Sequence, residues 1–245
     1  MPSAKFSELF DRHAIATHDK QLRLLQLVGE SDWQADLDAG TLTFENGVQF
    51  AVEVLGSEAE EDHSFVWSWA NTASDFSASV TRSARELKAI GERLALPELS
   101  QGMFDLGELN GTSIAMLAVG LLKADGYYRA PFPGGALFLL IPDAPAARAL
   151  NDISPFHVQT RITEALCRVS LDNIPAVGAY LSYKGYALNY RGRTLRAVSP
   201  EGEELVLEFD DSDRLIGMMS QSQQSQPSSW RERLWPWGRS RQARA

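Results

Sequence analysis

Trp67 and Trp69 sit two positions apart in the string Trp67-Ser68-Trp69-Ala70-Asn71. On a strand, residues i and i+2 point to the same face, so the two indoles would stand side by side. A pair of indoles makes a ligand platform or an interface anchor. It fills a core against a helix equally well, and the high average burial of Trp favours that reading. Asn71 is expected to bond backbone where the strand ends. Tyr127 and Tyr128 form a second aromatic pair, followed by Arg129. In a pocket between sheet and helices, Trp67, Trp69, Tyr127 and Tyr128 would supply the lining. Asp36, Asp38 or Arg129 would supply polarity.

Other familiar chemistries lack a part. No Gly-x-Ser-x-Gly string is present, so the serine nucleophile of an α/β-hydrolase turn is excluded. Gly107-Glu108-Leu109-Asn110-Gly111-Thr112-Ser113 has the glycines of a phosphate loop but no Lys to reach the phosphates. A helix start can hold an anion, but capping by Thr112 or Ser113 explains these residues more simply. His13 and His18 are five positions apart, about 140° around a helix, which does not suit a shared zinc ion. Asp36 with Asp38, and Asp210-Asp211-Ser212-Asp213, could offer oxygens to Mg²⁺ or Ca²⁺. Asp is also a favoured turn residue, and neither group follows the EF-hand pattern. Cys167 is the only cysteine, so no intrachain disulfide can form. It lies in an apolar helical stretch and is expected to be a buried, inert thiol. His63 reads as a solvated loop histidine. No catalytic residue, metal or cofactor is assigned.

The elements that would position these residues follow from periodicity. Phe6, Leu9, Phe10, His13, Thr17, Leu24, Leu25 and Val28 recur at helical spacing between a Ser3 or Ser7 cap and Gly29. Short strands follow at Trp33 to Leu37, Thr41 to Phe44, Val48 to Val54 and Ser64 to Ala70, with Asn46-Gly47 as a hairpin turn. Helix is predicted from Ser77 to Ala95 and from Ile114 to Lys123. The run Ala136 to Ile141 is apolar on both faces, as in a strand covered on both sides. Ser154-Pro155 starts a helix that continues to Arg168, and Ile174 to Lys184 forms another. Four short strands close the domain: Tyr186 to Tyr190, Thr194 to Val198, Glu204 to Phe209 and Arg214 to Met218. The fold class is α+β, with antiparallel meanders packed against helices. Both ends of the domain read as a helix plus four strands, a likeness that two alternating meanders can share without duplication.

The chain has 245 residues, 44% hydrophobic and 22% charged, with a net charge of −9. Those values suit a globular protein with a sizeable core. They exclude disulfide-rich, collagen-like and membrane-bundle classes. The longest apolar run, Ile114 to Leu122, has nine residues against about 20 for a membrane-spanning helix. No signal peptide is read at the start, so the cytoplasm is the expected location. Residues 1–219 are expected to form one compact domain, with possible lobes 1–150 and 151–219. Residues 220–229 read as a Ser/Gln linker and residues 230–245 as a basic tail. That tail holds five Arg and one Glu, a net +4, so residues 1–229 carry −13.

The order Gly40-Thr41-Leu42-Thr43-Phe44, Val54-Leu55-Gly56-Ser57, Trp67-Ser68-Trp69-Ala70-Asn71, Gly91, Pro97-Glu98-Leu99 and Gly126-Tyr127-Tyr128 resembles a bacterial family of uncharacterised proteins marked by a Trp-x-Trp-Ala-Asn string. The resemblance is clearest from Trp33 to Ile141, and it implies no activity, cofactor or catalytic residue.

The leading functional expectation is a non-enzymatic binding protein. An acidic body steers a basic partner, and a toxin-immunity protein is one concrete form. Nucleic acid is not an expected partner of the body. A ligand-binding or enzymatic domain with an aromatic pocket is the alternative. A third reading is an adaptor docked by its tail. Trp230, Leu234 and Trp237 lie at helical spacing, Pro236 interrupts the helix, and Arg231, Arg233 and Trp235 stand between them. Trp with Arg suits an anionic membrane or an acidic protein surface.

Overall fold

A computed structural model of the chain describes residues 1–221. Its spine is helix α1 (Ala4–Val28). The Ser3 hydroxyl caps it by accepting from the Phe6 N–H, and Gly29, at φ 61°, ends it. Phe6, Phe10, Ala14, Ile15, Leu24 and Val28 are buried along its length. At 1.5 Å per residue the helix is roughly 37 Å long, and it runs past helices and a strand from both halves of the described chain.

Strands β1 (Trp33–Asp36), β2 (Thr41–Phe44) and β3 (Gln49–Ala51) form an antiparallel three-stranded sheet. Strands β4 (Glu53–Ala59), β5 (Ser64–Trp67), β6 (Met103–Asp105), β7 (Gly126–Phe132) and β8 (Gly135–Ile141) form a second sheet in the order β6-β5-β4-β8-β7. β8 is interior there, as its two apolar faces require. Helices α2 (Arg82–Leu94), α3 (Pro97–Ser100) and α4 (Gly111–Leu122) lie between these strands in sequence. Helix α5 (Pro145–Ala149) then leads to α6 (Pro155–Arg168) and α7 (Asn173–Tyr183). Strands β9 (Ala187–Arg191), β10 (Thr194–Val198), β11 (Glu204–Phe209) and β12 (Leu215–Gln221) make a four-stranded meander. The architecture is α+β with antiparallel sheets throughout.

Three apolar clusters fill the interior, and α1 contributes to each: Phe6 and Phe10 to the first, Ile15 to the second, Leu24 and Val28 to the third. The second cluster belongs to α6, α7 and the C-terminal meander. Helices α1 and α4 pack closely because Gly120 leaves room for His13. A Cβ there would stand 2.3 Å from the imidazole.

Several expectations need correction. The first four strands do not mirror the last four, because β4 leaves the first meander and inserts between β5 and β8. β5 ends at Trp67 rather than Ala70, because the Trp67 carbonyl accepts from the N–H groups of Ala70 and Asn71, at 2.9 and 3.1 Å, and turns the chain. Helix α2 begins at Arg82 rather than Ser77, since the Val80 carbonyl is taken by the Val54 N–H at 2.6 Å. Asn110 caps α4 by accepting from the Ser113 N–H at 2.8 Å, so Thr112 and Ser113 fall inside the helix, which begins before Ile114. Cys167 is exposed, because the buried stripe of α6 runs through Val158, Ile162 and Ala165 and position 167 falls off it. β12 extends to Gln221, so Ser220 and Gln221 pair with β11 rather than starting a linker. The tail residues Trp230, Arg231, Arg233, Leu234, Trp235 and Trp237 lie outside the described residues. Among the described residues, no helix is long and apolar enough to cross a membrane.

Candidate functional site

The paired tryptophans do not share a face, because the strand has already turned between them. Trp67 is fully buried, and its Nε1–H donates to the Glu98 carbonyl at 3.0 Å. Its ring meets Phe65 edge-on at 5.1 Å. Ser68 donates its hydroxyl to the Val54 carbonyl at 2.6 Å, tying the turn to β4. Trp69 is half-buried, with the Lys88 ammonium 4.4 Å from its ring centroid. Gly102 is needed opposite: a Cβ there would stand 2.6 Å from the Ala70 Cβ. Asn71 accepts from the Ala73 N–H at 3.1 Å and donates to the Ser74 hydroxyl at 3.0 Å. The string thus clamps β5 to α3 and the turn before β6, and it offers no platform.

Tyr127 and Tyr128 lead elsewhere. Beside α1 runs an open groove of about 400 Å³. Leu22, Leu25 and Val28 form one wall, Phe44, Phe50 and Tyr128 another, and Met116 and Val169 flank them. Tyr128 is held edge-on by Trp33 at 5.3 Å and Phe44 at 5.4 Å. Tyr127 also lines the groove, but burial pushes its phenol up to about 12, against the opposing hydrogen bond with Thr112. Trp67 and Trp69 line no part of it. Arg129 pairs with Glu60 at 3.8 Å, and the Asp36 carboxylate is spent on the N–H groups of Asp38 and Ala39. The expected aromatic pocket therefore exists in half, with α1 supplying what the tryptophans do not.

Three polar side chains border the groove near α1 and α6: His18, Gln21 and Arg168. Gln21 is committed, since its amide donates to the Tyr127 carbonyl at 2.6 Å and accepts from the Tyr127 N–H at 3.3 Å. The His18 Nε2 is buried without a hydrogen-bond partner among the described residues. Burial, then the Arg168 charge, holds its pKa below the ordinary histidine value. Arg168 is a basic residue in the last turn of α6, where the helix dipole favours it. It is exposed and forms no ion pair among the described residues, because the neighbouring acid Glu164 pairs with Arg161 at 2.7 Å. A roomier cleft of about 530 Å³ lies at the α6–α7 loop and the β11–β12 turn. Its Asn173 is already used, bonded to the Leu171 carbonyl and the Leu215 N–H.

Deeper in the α1–α6–α7 interface, one carboxylate gathers several cations. Asp19 is fully buried and meets Lys184 at 2.8 Å, His157 at 3.2 Å, Arg161 at 3.5 Å and Arg23 at 3.6 Å. Burial alone would raise its pKa. The hydrogen bond and charge of Lys184, with Arg23 and His157, outweigh that and hold it below the usual carboxylate value. The three ammonium protons of Lys184 find the Asp19 carboxylate, the Asn151 side chain at 2.5 Å and the Asp152 carbonyl at 2.9 Å. This cluster locks α7 to α1. Among the described residues, no three His, Cys, Asp or Glu side chains converge on a metal position.

Asp11 stands apart on α1, and burial raises its pKa from 3.8 to about 6 despite a hydrogen bond from the Asp172 backbone. A raised folded pKa means the neutral form suits the fold. Its stabilisation is complete below about pH 4 and is lost as pH rises through about 6. Asp11→Asn is therefore expected to raise the thermal midpoint at pH 7.5 and to change it little at pH 4. Thermal unfolding at the two pH values checks this, and an equal shift at both would refute it.

The sequence reading did not single out Asp19, Arg23, Lys184, Leu22 or Arg168. Asp19 and Arg23 carry one local signal, an i,i+4 pair on the buried side of an amphipathic helix. Leu25, expected in the apolar stripe, is 56% exposed and edges the groove instead.

The chain belongs to the family of unknown function DUF6882, whose family model matches residues 7–144. The match takes in most of α1 and continues through β8, so it includes the tryptophan string and the α1, β2, β3 and β7 walls of the groove. Arg168, α6, α7 and the C-terminal meander lie beyond it. No curated protein and no solved structure matches the chain.

Proposed function

We propose that this member of the DUF6882 family is a binding protein that holds a small, largely apolar molecule in the groove beside α1. One observation carries the reading: the groove is open, yet its walls are aliphatic and aromatic side chains rather than polar ones. Open apolar concavities of a few hundred Å³ are typical ligand sites. Leu25, 56% exposed on the rim, gains apolar burial only when something covers it. The backbone of β7 is pinned to α1 by Gln21, so the wall is held in place before a ligand arrives.

The neutral fluorophore N-phenyl-1-naphthylamine tests this. It is expected to bind the full chain saturably with an emission increase. Leu25→Asp places a charge on the apolar rim and is expected to weaken that binding about tenfold or more. The fold should tolerate the change, because exposed substitutions alter stability by about 0.5 kcal/mol. Absence of saturable binding, or equal binding by the variant, would refute the reading.

A further inference from the structure

Among the described residues that line it, the groove has one charged end and no acid. Arg168 is the single formally charged side chain among its described lining residues. That stands out in a chain whose first 229 residues carry −13. The guanidinium is exposed and unpaired among the described residues, and His18 beside it keeps a buried nitrogen without a partner. We propose that the ligand is an apolar monocarboxylic acid, with its hydrocarbon body along Leu22, Leu25, Phe44 and Phe50 and its carboxylate on the Arg168 guanidinium. This inference rests on the groove reading above and adds the head group.

The chemistry selects a carboxylate in two ways. A guanidinium presents paired N–H donors in a plane that matches the two oxygens of a carboxylate. Arg168 also sits in the last turn of α6, beside that helix's partial negative charge. A singly charged head faces less repulsion there than a phosphate dianion. Burial disfavours the charged form of His18, and Arg168 is the charged side chain that lines this end among the described residues.

Displacement of N-phenyl-1-naphthylamine from the full chain tests the proposal, with decanoate, 1-decanol and decyl phosphate as competitors. Decanoate is expected to compete about tenfold better than decanol at low salt, the lower end for a bond to a charged group because Arg168 is exposed. Added salt should shrink the difference. Arg168→Met should abolish the preference for decanoate over decanol, each competitor being read against that variant's own dye titration. Decanol competing as well as decanoate, decyl phosphate competing better, or a preference that survives Arg168→Met would overturn the acid while dye binding still supported the groove. Failure of the dye itself to bind would remove both. If ligand binds only after residues 222–245 are deleted, the chain's own C-terminal segment is the occupant and the proposal is wrong. A chain that sediments as a dimer, and as a monomer with Leu25→Asp, would make the groove a self-association face and overturn it too.

Discussion

Trp67→Ala is expected to lower the unfolding free energy by about 3–5 kcal/mol, the range for removing a large aromatic side chain from a core. The indole is fully buried. It packs in the cluster that also holds Phe6, Phe65, Leu87 and Phe138, and those residues come from α1, α2 and two strands of the same sheet. Its removal leaves a cavity that none of these elements can close without moving the others. It also strips the Glu98 carbonyl of the indole N–H donor. Trp69→Ala is expected to cost less, about 1–2 kcal/mol. Its ring is only half-buried, and its contact with Lys88 is a cation–π interaction near the surface. Denaturant unfolding of both variants measures the difference. Equal losses would contradict the placement of the two indoles, and a negligible loss for Trp67→Ala would contradict its burial.

Lys184→Ala is expected to be comparably damaging, at about 3–5 kcal/mol, because it strands a buried carboxylate. Asp19 would keep His157, Arg161 and Arg23 at 3.2 to 3.6 Å, but it would lose its closest partner at 2.8 Å. The double substitution Asp19→Leu/Lys184→Met should be less destabilised than Lys184→Ala, since it removes both charges and their desolvation together. Acid unfolding supplies a second readout. Asp19 has a folded pKa below its unfolded value of about 3.8. Its contribution is therefore in place above that value and is lost as pH falls through the folded pKa. Lys184→Ala should move that loss to higher pH. A variant with unchanged stability and an unchanged acid transition would refute the hub.

Much of the secondary structure was legible because its determinants are local. The Ser3 cap, the Gly29 stop and the three–four spacing of Phe6, Phe10, Leu24 and Val28 define α1 without reference to other segments. Ser154-Pro155 marks the start of α6, and the doubly apolar run from Ala136 identifies an interior strand. The four-strand meander at the C-terminal end of the described chain was legible because each strand is bounded by its own turn. The places where the reading slipped are those where distant segments intervene. Val54 takes the carbonyl that would have let α2 begin earlier, and β4 leaves the first meander to join β8.

The sequence by itself determined the α+β class, the capped helices and the presence of two aromatic pairs, because alternation, helical spacing and turn residues act over a few positions. Only the tertiary structure decided which aromatic pair borders open space. Trp67 and Trp69 have identical side chains and share Ser68 as a neighbour, yet one is sealed by Glu98 and Phe65 and the other meets Lys88. The groove is assembled from α1, α4, β2, β3, β7, β8 and the end of α6, and the Asp19 hub from side chains as far apart as positions 19 and 184. Burial and charge pairing depend on which surfaces meet in space, and no spacing within one element encodes that.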